Sequence, residues 1–133
     1  MNAQILCNWQ PSHLDAATIK REFLQLCAAR GVRLCGDSLE VRGPSDHAEA
    51  RWRQYSDPAF DWHKDEGGAL DRLTDRIVVM WSNVLPTEVA AGYERLKARD
   101  GDVLLVDNLT TRHRVPKGVE HANRWFVRGH VHK

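Results

Sequence analysis

The chain has 133 residues, 42% of them hydrophobic, and a formal net charge of +1. That is one domain's worth of chain, long enough to bury roughly two-thirds of its unfolded surface. From the composition disorder is not expected as the main state, and the near-neutral balance argues neither for a nucleic-acid binder nor for a membrane-surface protein.

The three cysteines, Cys7, Cys27 and Cys35, are odd in number and share no C-x-x-C spacing. Neither a disulfide framework nor a structural zinc site is expected, and free thiols fit a reducing compartment. The first residues lack the basic and apolar regions of a signal peptide, and no run approaches the roughly 20 apolar residues of a membrane span. The expectation is a cytoplasmic protein with no membrane contact.

Gln4 to Trp9 reads as a short strand. Pro11-Ser12 breaks it, and a helix follows, capped by Ser12 or Asp15. Its apolar residues Leu14, Ala17, Ile19, Phe23, Leu26 and Cys27 recur near helical spacing, and Gly31 ends it. Val32 to Leu34 and Leu39 to Val41 read as strands around a turn at Gly36-Asp37. Gly43 to Asp46 is a loop, and 46–55 reads as a polar helix. Ile77 to Trp81 is a β-branched run and hence a strand. Pro86-Thr87-Glu88 looks like a helix start, which predicts a helix over 88–98. After a turn at Asp100-Gly101-Asp102, three strands follow: Val103 to Val106, Thr110 to Val115 and Arg124 to Val131. A helical N-terminal part before a strand-rich remainder implies an α+β fold with an antiparallel double-sheet roll or barrel as its core. No linker divides residues 1–133, so a single domain is expected.

His63-Lys64-Asp65 is the first motif that carries chemistry. On an extended strand, residues two apart point to one side, so imidazole and carboxylate can reach one ion. A second histidine would complete a two-histidine, one-carboxylate facial set, which leaves positions open for an oxidant and a co-substrate. Alone, H-x-D is also an ordinary polar turn. The second histidine must come from His113, His121, His130 or His132. His113 follows the buried run Val103 to Val106 and sits in a strand. His121 lies in a polar loop, and His130 and His132 read as a frayed end.

The segment after Asp107 holds Arg112, Arg114, Lys117, Arg124, Arg128 and Lys133 against the single acid Glu120. Such a bias is either a solvated face or a site for an anion. In Arg124-Trp125-Phe126-Val127-Arg128, alternation puts Arg124, Phe126 and Arg128 on one face and Trp125 and Val127 on the other. Two arrangements satisfy this pattern: an edge strand with its arginines in water, or a roll with its arginines inside. Inward arginines need anions, and a guanidinium fork matches a carboxylate.

The run Gly101-Asp102-Val103-Leu104-Leu105-Val106-Asp107-Asn108-Leu109-Thr110-Thr111-Arg112-His113-Arg114 resembles the distal-histidine segment of taurine dioxygenase-like and clavaminate synthase-like oxygenases. Arg124-Trp125 is similar to the arginine that follows that histidine, and Trp62-His63-Lys64-Asp65 to the family's W/F-H-x-D/E. The resemblance covers roughly 60–130. It implies a double-stranded β-helix, or jelly roll, in a minimal version. It further implies Fe(II) held by His63, Asp65 and His113, with O2 and 2-oxoglutarate as co-substrates. Arg124 is the matching position for the far carboxylate of 2-oxoglutarate, and Thr87 is the nearest match for an assisting threonine. Arg128 matches a position that meets an acidic group on the substrate. The implied activity is hydroxylation of a small molecule. Family members are usually about twice this long, and Leu109 stands where arginine is common. Two further classes stay open: a non-catalytic jelly-roll binding module with a vestigial metal site, and an oxygenase acting on nucleic acid, suggested by the basic segment and by Trp52 and Trp62. A nucleic-acid partner is the less expected of these on net charge.

Overall fold

The computed structural model describes residues 2–44, 62–63, 74–114 and 123–132. They form mostly antiparallel sheet with one α-helix, an α+β arrangement. In chain order the elements are β1 (Ala3–Asn8), α1 (Ala16–Ala29), β2 (Glu40–Arg42), β3 (Thr74–Ser82), β4 (Glu88–Ala91), β5 (Glu94–Leu96), β6 (Asp102–Asp107), β7 (Arg112–Arg114) and β8 (Phe126–His132).

The helix begins where a carboxylate can satisfy its open N–H groups. Asp15 is the cap: its Oδ1 accepts from the Thr18 N–H at 2.8 Å and its Oδ2 from the Thr18 hydroxyl at 2.9 Å. Hydrogen bonds to Thr18 hold the Asp15 carboxyl below its ordinary value of 3.8. At the other end Gly31 takes φ 74°, and the Val32 N–H reaches back to the Cys27 carbonyl at 2.8 Å. Glycine adopts that left-handed conformation without a Cβ clash, which is why the helix stops there.

Five strands form one sheet in the order β1-β6-β3-β8-β2, and three form a second in the order β5-β4-β7. Alternation along the central strands gives the larger sheet two different faces. Ile19, Phe23 and Cys27 of α1 cover Val79, Trp81, Val103 and Val127 on one face. Trp9 caps this layer, its ring 4.9 Å from Trp81 and 5.7 Å from Phe23. On the other face Leu104 and Val106 pack against Val89 of the smaller sheet. Both sheets therefore share a space between them.

Several local expectations change. The segment 88–98 is not a helix but the hairpin β4-β5, turning at Gly92 with φ 60°. Its acidic-looking start concealed the alternation of Glu88, Ala90 and Gly92 against buried Val89. The stretch Val32 to Leu34 shrinks to one bridge between Leu34 and Val131. The helical N-terminal part reduces, among the described residues, to α1 between two strands. His130 and His132 are no frayed tail: they lie in β8, an interior strand, and His130 is buried. The predicted polar helix at 46–55 lies outside the described residues. Among the described residues no helix is long and apolar enough to cross a membrane.

Candidate metal centre

The smaller sheet brings His63 and His113 together from distant parts of the chain. Their backbones form an antiparallel bridge, with the His63 N–H donating to the His113 carbonyl at 3.0 Å and the reverse bond at 2.9 Å. Directly paired residues share a face, so both rings project to one side. Their centroids lie 4.4 Å apart at an interplanar angle of 60°. Two imidazoles at right angles on one ion, each nitrogen about 2.1 Å from it, put ring centroids roughly 4.5 Å apart. The spacing of the histidine pair is close to that value, and it is also an ordinary ring contact.

A tight turn holds His113 in place. The Asp107 side chain accepts from the Leu109 N–H at 2.9 Å, and the Asp107 carbonyl accepts from the Thr111 hydroxyl at 2.6 Å. Asp107, Asn108 and Thr111 are all buried, and Arg76 holds the Asp107 carboxylate at 3.1 Å. The chain thus leaves β6 and re-enters as β7 in a fixed register. His113 pairs with Val89, whose side chain packs between the sheets, so His113 faces that same space. It is 5% exposed. Asp65 lies outside the described residues, and among the described residues no group of three His, Cys, Asp or Glu side chains gathers to hold a metal.

Arg124 is a buried cation. It is 2% exposed, and its guanidinium lies over the Phe126 ring at 5.3 Å. Burial pushes its pKa down to about 10, which leaves it a cation at neutral pH. Its Nε donates to the Leu85 carbonyl at 3.2 Å, whereas Nη2 is buried and has no hydrogen-bond partner among the described residues. A buried, unsatisfied guanidinium edge is costly unless an anion meets it. The residues on either side are clamped by one amide: Asn83 Oδ1 accepts from the Trp125 N–H at 2.6 Å, and Asn83 Nδ2 donates to the Asn123 carbonyl at 2.9 Å. Leu85 sits at φ 51°, an unusual conformation for a branched residue, and its N–H donates to Asp100 Oδ1 at 2.9 Å. Thr87 is buried two residues beyond Leu85.

Leading into β8, Arg124 lies beside Phe126, while Trp125 and Val127 pack on the helix side. Arg128 pairs with Met80 in register, which in turn pairs with Leu104, so it too faces between the sheets. Its Nη2 already meets a carboxylate, Glu40 Oε2 at 2.6 Å on the neighbouring strand. His121 lies outside the described residues.

No family model matches this chain, and neither a curated protein nor a solved structure matches it.

Sequence reasoning missed Asn83, Leu85 and Glu40. Asn83 carried a faint signal, a turn-forming residue directly after a β-branched run. Leu85 carried none, because leucine does not mark left-handed backbone.

Proposed function

We propose that this chain is a minimal Fe(II)- and 2-oxoglutarate-dependent oxygenase built on a double-stranded β-helix. The observation that carries the reading is the paired His63 and His113, two side chains that the motif resemblance names independently. The strand order supports the fold. Four strands run β2-β8-β3-β6 in one sheet, while the His63 bridge, β7, β4 and β5 follow one another in the second. Apart from the β4-β5 hairpin, the chain from β2 onward passes from one sheet to the other at each step, as expected of a double-sheet jelly roll.

His63 and His113 would supply two nitrogens to the metal, and Asp65 the carboxylate that completes a facial set. When bound, Fe(II) and 2-oxoglutarate supply the oxidising chemistry: O2 is consumed, 2-oxoglutarate becomes succinate and CO2, and a substrate C–H becomes C–OH. The protein's share is position and surroundings. Arg124 offers its unsatisfied Nη2 to the far carboxylate of 2-oxoglutarate, while Leu85 and Asn83 fix the angle of the fork. Thr87, buried two residues after Leu85, would add a hydroxyl donor. Val89, Leu104 and Val106 keep water from the space between the sheets. An acidic small-molecule substrate would displace Glu40 from Arg128.

The test is an anaerobic titration with Fe(II) and 2-oxoglutarate. A visible metal-to-co-substrate charge-transfer band, lost in His113→Ala, is the expected result. A wild-type protein that binds neither group sinks the reading. The Glu40–Arg128 pair favours a second reading, a binding module whose substrate arm is already closed by its own carboxylate. In that case the band forms but no succinate appears with any substrate.

A further inference from the structure

The outer face of the smaller sheet carries a feature that the metal centre does not use. Alternation turns Val89, Leu96 and His113 inward, so Glu88, Ala90, Arg95, Lys97, Arg112 and Arg114 point the other way. In register, Ala90 is flanked by Arg95 on one neighbouring strand and Arg112 on the other. Strands lie about 4.8 Å apart, so the backbones that carry the two arginines stand about 10 Å apart across a methyl-sized floor. Both arginines are exposed. Among the described residues neither has a carboxylate partner; Arg95 gives Nη1 only to the carbonyls of Gly92 and Glu94.

An aromatic wall completes the cleft. The Trp62 ring lies 5.0 Å from the Arg95 guanidinium and 4.2 Å from that of Arg114. Trp62, Ala90, Arg95, Thr110 and Arg112 line a cavity of about 350 Å³, with no acid among the described residues of its lining. A second cavity of about 550 Å³, lined by Glu88, Arg95, Lys97 and Arg114 together with the inward Val89 and Leu96, shares Arg95 with it. Glu88 is the one acid among these outward residues, and Arg114 holds it at 2.8 Å.

We propose that the outer face of the β5-β4-β7 sheet, with Arg95 and Arg112 flanking Ala90 beside Trp62, binds single-stranded nucleic acid. Phosphates match the spaced guanidiniums, and bases stack on the indole and on guanidinium planes. Two adjoining clefts with a shared arginine suit a chain that continues from one to the next rather than a single small anion. A whole-chain charge of +1 is compatible with a local basic face. The proposal does not depend on turnover at the metal centre.

The experiment is fluorescence anisotropy of the full chain with a labelled oligothymidylate of about a dozen nucleotides, at low salt. The expected result is saturable binding whose logarithmic salt slope is about −2 to −3, as three or four neutralised phosphates require. Arg95→Gln with Arg112→Gln should weaken binding at least tenfold with an unchanged thermal melt. Glu88→Gln, which removes the resident acid, should tighten it by a few-fold. Polyglutamate and anionic phosphatidylserine vesicles serve as alternative polyanions. No binding of the oligonucleotide, equal binding by the double variant, weaker binding by Glu88→Gln, or competition by polyglutamate or vesicles as effective as by unlabelled oligonucleotide at equal charge would each overturn the proposal.

Discussion

The two faces of the five-stranded sheet divide the work of the molecule. Towards α1, the buried side chains are apolar: Ile19, Phe23, Val79, Trp81, Val103 and Val127 are at most 1% exposed. Towards the smaller sheet, Val89, Leu104 and Val106 share their surroundings with buried His113, Arg124, Thr87 and His130. The first face gains from removal of apolar surface from water, while the second also buries polar groups, among them the charge of Arg124, whose desolvation opposes folding. Stability and chemistry should therefore be separable by mutation.

The largest effects should fall on opposite sides of that division. His113→Ala removes a proposed ligand, so Fe(II)-dependent consumption of 2-oxoglutarate should fall to background, with the urea midpoint nearly unchanged. Phe23→Ala should do the reverse in kind, costing about 3–5 kcal/mol of unfolding free energy while the surviving folded fraction still shows the charge-transfer band. If His113→Ala unfolds the protein, the inter-sheet layer is a structural core and the division fails.

Arg124 tests the division more finely, because one residue should carry opposite signs in the two measurements. Arg124→Met removes a fork worth about 1.5–3 kcal/mol to a carboxylate, so the apparent Michaelis constant for 2-oxoglutarate should rise on the order of tenfold to a hundredfold. The same change replaces a desolvated charge by an apolar chain of similar length, and should stabilise the ligand-free protein by about 1–3 kcal/mol. Loss of stability would mean that Arg124 is structural. Asn83→Ala leaves the guanidinium but frees its backbone, and should raise the same constant about three- to tenfold with little change in turnover number. Equal falls in turnover and affinity would deny the clamp its positioning role.

What could be read from the sequence follows from the same physics. Strands such as Ile77 to Trp81 and Val103 to Val106, and the helix between Asp15 and Gly31, were legible because their side-chain period or end-residue chemistry is local. The pairing of His63 with His113 was legible only through motif resemblance, since no local signal links residues so far apart. The hairpin β4-β5 was misread as a helix because Glu, Ala, Lys and Arg favour helices in isolation, and tertiary burial of Val89 against Leu104 overrides that preference. The Glu40–Arg128 pair was invisible because it depends on β2 lying beside β8, a matter of topology rather than pattern.

That pair sets the smaller of the remaining effects. Arg128 and Glu40 are each about one-quarter to one-third exposed, so water screens them and the pair should contribute at most about 1 kcal/mol to stability. Arg128→Ala should accordingly leave both the unfolding free energy and the 2-oxoglutarate affinity nearly unchanged. Its expected signature is in the productive reaction: succinate should form without a matching amount of hydroxylated product, because the substrate has lost its anion anchor. Glu40→Gln should act in the other direction, freeing Arg128 and lowering the Michaelis constant for an acidic substrate. Parallel assays of succinate and product on the two variants decide the matter. A 2-oxoglutarate affinity that falls in Arg128→Ala as far as in Arg124→Met would mean that both arginines serve one anion, and the assignment of separate roles would fall.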